Sequence, residues 1–227
     1  MSPQSRRLAA EFIGTFALVF AGTGAIVFDS ANPGKIGHIG IALTFGLAVM
    51  AMIYAVGGVS GAHLNPAVTL GFWRARLMPG RDVVPFILAQ LGGACFATGI
   101  LFAMFPQHPT LGATIPYGPW WHSFVLEVIL TAVLMFVILG VSVGKPEVRA
   151  LGGVIVGGVI ALEALFAGPV SGASMNPARS LAPAMISGSW EHVWIYLVAP
   201  VVGAWVAVPV CAGVQAPGCC TAEGTCS

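Results

Sequence analysis

Apolar residues run through this chain in blocks long enough to cross a bilayer, and polar residues are confined to the gaps. A crossing helix needs about 20 predominantly apolar residues. Six stretches qualify, at 8–28, 37–57, 84–105, 122–142, 150–168 and 192–213. Two more apolar pieces, 66–73 and 177–187, are too short to cross. Each follows the same tripeptide, which is Asn65, Pro66, Ala67 in one case and Asn176, Pro177, Ala178 in the other. The surrounding frames, GVSGAHLNPAVT (58–69) and PVSGASMNPARS (169–180), repeat at an offset of 111 residues, one in each half of the chain. A single copy would be an ordinary turn opener, whereas two in one frame point to a duplicated membrane unit.

Glu11, Thr15 and Phe20 reappear as Glu127, Thr131 and Phe136 at an offset of 116, so an insertion separates the two landmarks. Three spans per half is an odd number, which inverts the second half relative to the first and sends the short pieces in from opposite faces. The expected fold is an all-α membrane protein: six transmembrane helices plus two re-entrant half-helices in an inverted internal repeat. Its segments are a cytoplasmic N-terminus (1–7), a first repeat (8–105), an external connecting loop (106–121), a second repeat (122–213) and a cysteine-rich cytoplasmic tail (214–227). Seven of the nine basic residues fall in segments that are cytoplasmic if the N-terminus is inside, which places both termini in the cytoplasm of a cell with this chain in its plasma (inner) membrane. Glycines such as Gly93, Gly157, Gly158 and Gly203 are expected where helices touch.

Composition agrees. Charged residues make up 7% of the 227 and mean hydropathy is +0.92. A soluble domain carries about 25% charged residues. Net charge is +1, which leaves no electrostatic footprint for nucleic acid. The run after Arg6 and Arg7 continues to about Phe28 without a small-residue cleavage site, so it reads as a retained span rather than a signal peptide. Five cysteines without framework spacing do not suggest a disulfide scaffold. Cys219, Cys220 and Cys226 crowd the tail, where soft thiols could capture a thiophilic ion; a merely unstructured end is the alternative. No cofactor is expected, and no paired acid and base, phosphate loop or metal triad suggests an enzyme.

The twin tripeptide carries the chemistry. Asparagine is a strong N-cap and proline suits the first helical position, so each triplet opens a short helix. The VSGA segment before each, read as extended backbone, is tolerable in a membrane only inside protein or along a water-filled path. Two half-helices meeting near the midplane would aim their positive dipole ends and two asparagine amides at one point, admitting neutral polar solutes and repelling cations. Arg179 would cost about 2.5–3.5 kcal/mol in the membrane unless it faced the path or a partner.

On these residues the chain resembles the aquaporin, or major intrinsic protein, family over about 8–213, and within it the nodulin-26-like and bacterial metalloid-channel branch through LFAGPVSGASMNPARSLAP (165–183). The resemblance implies a homotetramer with a pore in each subunit. It also implies an outer constriction of Phe45, Ala164, Ala173 and Arg179, with His63 lining the cytoplasmic half. Water-selective members usually have histidine where Ala164 stands, and glycerol-conducting ones aspartate where Ser180 stands. The expected function is passive conduction of small neutral solutes, foremost metalloid acids such as arsenous acid, with water as a second permeant. The alternatives are a water-selective channel, a glycerol facilitator, and a proton-coupled transporter using Glu11, Glu127 and Glu163. Glu11 and Glu127 are more simply read as acceptors for the unpaired amides of the non-helical loops. Glu163, matched by Thr44 in the first half, either lines the path or packs behind it.

Overall fold

A computed structural model describes residues 1–215. Among these, regular structure is entirely helical: α1 Pro3–Ala31, α2 Gly37–Ser60, α3 Pro66–Arg74, α4 Gly80–Met104, α5 Trp120–Val143, α6 Pro146–Ala150, α7 Gly152–Ser171, α8 Pro177–Ser187 and α9 Val193–Val214. Six of these helices, all but α3, α6 and α8, are long and apolar enough to cross a membrane. At about 1.5 Å per residue, α3 and α8 reach only about half of a roughly 30 Å hydrocarbon core.

Two boundaries are sharpened and one expectation is corrected. α1 begins at Pro3, ahead of the apolar block: Ser2 Oγ accepts from Ser5 N at 3.1 Å, and proline occupies the first position. The span expected at 150–168 is α7, Gly152–Ser171, preceded by the five-residue α6 that opens at Pro146, with the chain breaking at Leu151 between them. The VSGA segments are not extended throughout. Val59, Ser60, Val170 and Ser171 finish α2 and α7, and Gly61 (φ 92°) and Gly172 (φ 86°) are their left-handed caps, a conformation natural to glycine.

Helix contacts carry the inverted repeat. α1 packs on α2 and α4, α5 on α7 and α9, α2 on α7, α4 on α8, and α9 on α3. Exchanging the halves maps this set onto itself. A Cβ at Gly93 would run into the Phe12 carbonyl, and one at Gly203 into the equivalent Val128 carbonyl. At the α2–α7 crossing, a Cβ on Gly46 would lie 2.5 Å from the Gly157 carbonyl, and one on Gly157 2.6 Å from the Gly46 carbonyl. Small residues here let backbones touch. Gly158 differs from expectation, since a Cβ there meets nothing within 4 Å.

The outer surface is apolar, as lipid contact requires. Half-exposed Trp120, Trp121, Trp190 and Trp194 cluster at one end of the bundle, with Trp73 and Trp205 paired towards the other. This is the aromatic belt pattern of a membrane interface.

Candidate functional site

The two half-helices begin back to back. Asn65 Oδ1 accepts from Ala67 N (2.8 Å); Asn176 Oδ1 accepts from Ala178 N (3.0 Å) and Arg179 N (3.3 Å). Pro66 and Pro177 follow at the first helical position, where no N–H is missed. The amide nitrogens cross over: Asn65 Nδ2 donates to the Met175 carbonyl (2.7 Å) and Asn176 Nδ2 to the Leu64 carbonyl (2.9 Å). An asparagine amide has two N–H donors. One therefore joins the two halves, and the other remains for the cavity that both residues line.

The loops leading into α3 and α8 are bent in an unusual way. Ala62, Leu64, Ala173 and Met175 all have positive φ, between 40° and 54°. Non-glycine residues in this region cost about 1–3 kcal/mol each and persist only when surroundings fix them. A buried glutamate does so in each half. Glu11 accepts from Ser60 Oγ (2.6 Å), His63 N (2.9 Å), Leu64 N (2.7 Å) and Gln90 Nε2 (2.8 Å). Glu127 accepts from Ser171 Oγ (2.8 Å), Ser174 N (2.8 Å) and Met175 N (2.7 Å). Nothing in the sequence marks Gln90, which also donates to Thr69 Oγ1 at 2.9 Å.

Two neighbouring cavities lie among the helices. The larger, about 480 Å³, runs from Tyr54, Ser142 and Arg149 past His63 and both asparagines to Arg179. The smaller, about 240 Å³, lies beyond it and is bordered by His38, Thr114 and Ala164. Phe45, Ala173 and Arg179 border both cavities, and Ala164 the smaller one, so the four residues come together where the cavities meet. Arg179 is 2% exposed. Its NH1 donates to the Gly112 carbonyl (2.7 Å), and its guanidinium carbon lies 5.1 Å from the Phe45 ring centre, within cation–π range. Gly22 provides the room for Phe45, since a Cβ there would overlap the ring.

His63 lines the larger cavity with its Nδ1 3.1 Å from Thr69 Oγ1 and its ring stacked on Phe72 at 4.5 Å. Glu163 is 2% exposed and borders neither cavity; its carboxyl oxygens have no hydrogen-bond partner among the described residues. It packs behind the path. Cys219, Cys220 and Cys226 lie outside the described residues, among which no cluster of three histidine, cysteine or acidic side chains could hold a metal. Sequence reasoning also missed Arg149 and Tyr54, which line the larger cavity, Tyr54 Oη donating to the Ala150 carbonyl at 3.3 Å; Thr114, which lines the smaller one; and Gly112, which holds Arg179.

The lining is therefore mixed. Asn65, Asn176 and Arg179 contribute polar groups, and Leu18, Val49, Ile53, Leu134, Val156 and Ile160 contribute hydrocarbon. A neutral hydroxylated solute can exchange its hydration for the polar groups while its apolar parts meet hydrocarbon. A cation meets two helix N-termini and a guanidinium.

Comparison with known proteins follows this geometry. Residues 1–210 match the family described as Major intrinsic protein. The chain is 48% identical to Aquaporin NIP1-1 of Zea mays, covering 89% of this chain and 72% of that one. It is 43% identical to Nodulin-26 of Glycine max, covering 89% and 75% respectively. Among solved structures it is similar to the aquaglyceroporin from Plasmodium falciparum, with a TM-score of 0.81 at 27% identity, covering 90% of this chain and 93% of that one.

Proposed function

The chain belongs to the major intrinsic protein family, whose members are membrane channels and not enzymes, and we propose that this one passively conducts small neutral metalloid acids such as arsenous acid, with water as a second permeant. The observation that carries the proposal is the junction between the cavities. There Phe45 and Arg179 stand beside two alanines, so the gate keeps one strong donor group and has no polar ring. Arsenous acid is larger than water, uncharged at neutral pH and covered with hydroxyl groups, and such a gate suits it. In this reading Asn65 and Asn176 are the midplane donors, Phe45, Ala164, Ala173 and Arg179 are the selectivity constriction, and Glu11 and Glu127 support the loops. The channel works as a homotetramer in the plasma membrane with both termini cytoplasmic.

A glycerol facilitator is the second reading, favoured by the similarity to an aquaglyceroporin and opposed by Ser180. Coupled transport finds little support. Glu11 and Glu127 are occupied by loop amides and hydroxyls, and Glu163 stands off the path.

The test is flux into proteoliposomes containing the purified chain. Water and glycerol are followed by stopped-flow light scattering, and arsenous acid by its accumulation inside. The expected outcome is arsenous acid uptake that does not saturate and does not respond to an imposed pH gradient. Fast water flux without arsenous acid uptake would defeat the metalloid reading, and gradient-driven saturable uptake would defeat the channel mechanism.

A further inference from the structure

We infer that Thr114, in the loop joining the two halves, is a positioning residue of the constriction: through a chain of hydroxyls it ties to α8 the loop whose Gly112 carbonyl holds Arg179. The inference rests on the proposed role of that constriction. The segment around Thr114 belongs to no helix, yet it is drawn into the molecule: Leu111 is 1% exposed and Thr114 is 7% exposed. Leu111 (φ 50°) and Gly112 (φ 76°) turn the backbone against α1, where a Cβ on Gly112 would lie 3.0 Å from Thr23 Cβ. His108 Nδ1 secures the turn by accepting from Leu111 N at 2.9 Å and Thr110 N at 3.3 Å.

The hydroxyl chain has one consistent direction. Ser174 Oγ donates to the Asn176 carbonyl at 3.0 Å, which uses its only proton. Ser180 must then be the donor in its hydrogen bond with Ser174, and Thr114 Oγ1 donates to Ser180 Oγ at 2.8 Å. Each hydroxyl proton is used once, from Thr114 through Ser180 and Ser174 to the backbone of the residue that caps α8. Arg179 immediately precedes Ser180, and its NH1 is bonded to Gly112, two residues before Thr114. The loop therefore grips α8 at two adjacent points, and one of them is the guanidinium itself. Without the Thr114 bond the loop is held to α8 through the Gly112 carbonyl alone, so the anchor of the guanidinium is less firmly placed.

Thr114 has a second, separable contact. Its Cγ2 methyl would be 3.0 Å from a Cβ on Gly172, so it fills the space that glycine leaves. Thr114→Val keeps that methyl and removes the donor, whereas Thr114→Ser does the reverse. In proteoliposomes we expect T114V to lower the arsenous acid to water permeability ratio by about threefold, the scale of one lost hydrogen bond. The fall reflects a loosened guanidinium that intrudes on the larger solute. T114S is expected to retain the wild-type ratio. A shift in T114S with T114V unchanged would assign the effect to packing and overturn the inference, as would two wild-type ratios. Ala164→His, measured alongside, separates the two levels: if it moves the ratio and T114V does not, only the role of Thr114 fails; if A164H leaves the ratio unmoved, the constriction reading fails.

Discussion

Replacing Glu127 with alanine tests whether the buried glutamates hold the pore loops or carry protons. The carboxylate accepts from two backbone amides, Ser174 N and Met175 N, and from Ser171 Oγ. Ser171 Oγ also accepts from Ala173 N, so its hydroxyl is the group best able to find a new partner. The two amides face the protein interior, and each buried donor left unpaired costs about 1–3 kcal/mol. E127A should therefore lose roughly 2–6 kcal/mol, a large part of the total of about 5–15 kcal/mol typical of a folded chain. At roughly 2–4 °C per kcal/mol, the melting temperature should fall by at least about 4 °C. Glu127→Gln keeps the shape, but its amide nitrogen would face a donor at either oxygen position, so it should fall between wild type and E127A. The assay is thermal unfolding of the purified protein in detergent, with water flux measured in parallel. In a proton-carrying role, E127Q would melt like wild type and lose only transport. That result, or an E127A protein melting within about 2 °C of wild type, would refute the loop-support argument.

Two further predictions follow from packing and charge. Gly157→Ala puts a methyl 2.6 Å from the Gly46 carbonyl and should cost about 1–3 kcal/mol, while Gly158→Ala, in open space, should be neutral; equal monodispersity of the two after heating would contradict the close helix crossing. Burial lowers the His108 imidazole below its ordinary value of 6.5, and its neutral Nδ1 is the acceptor that secures the loop. The contribution is thus intact at pH 7 and above and is lost as pH falls below about 6.5 on the face bearing that loop. Acidification from pH 7 to well below the ordinary value of 6.5 should change the solute to water ratio in wild type and leave it unchanged in His108→Ala; a pH effect that persists in the variant would contradict this.

Much of the architecture was legible because its determinants are local or periodic. Apolar block length gave the six spans, and the cap chemistry of Asn-Pro fixed where α3 and α8 begin. The duplicated frame required that they face each other. Other features were hidden because they depend on contacts distant in sequence. The loop carrying Gly112 and Thr114 has no periodicity, and its value lies in reaching Arg179 and Ser180 across the outer cavity. Gln90 reads as one polar residue in an apolar span until α4 brings it to Glu11. Ser60 and Ser171 sit in the repeated frame, but their hydroxyls serve the glutamates only because α2 and α7 extend one turn further than the sequence suggested. Glu163 was undecidable from spacing, since neighbouring positions on α7 face either the path or the helix seam.

The central claim is that the junction of Phe45, Ala164, Ala173 and Arg179 decides what passes. It is tested most directly by the arsenous acid to water permeability ratio of wild type and Ala164→His, measured in the same proteoliposome preparation. Histidine at 164 introduces a polar ring and narrows the gate, so the ratio should fall by about tenfold, with arsenous acid losing more than water. An unchanged ratio in a folded A164H channel would contradict the account.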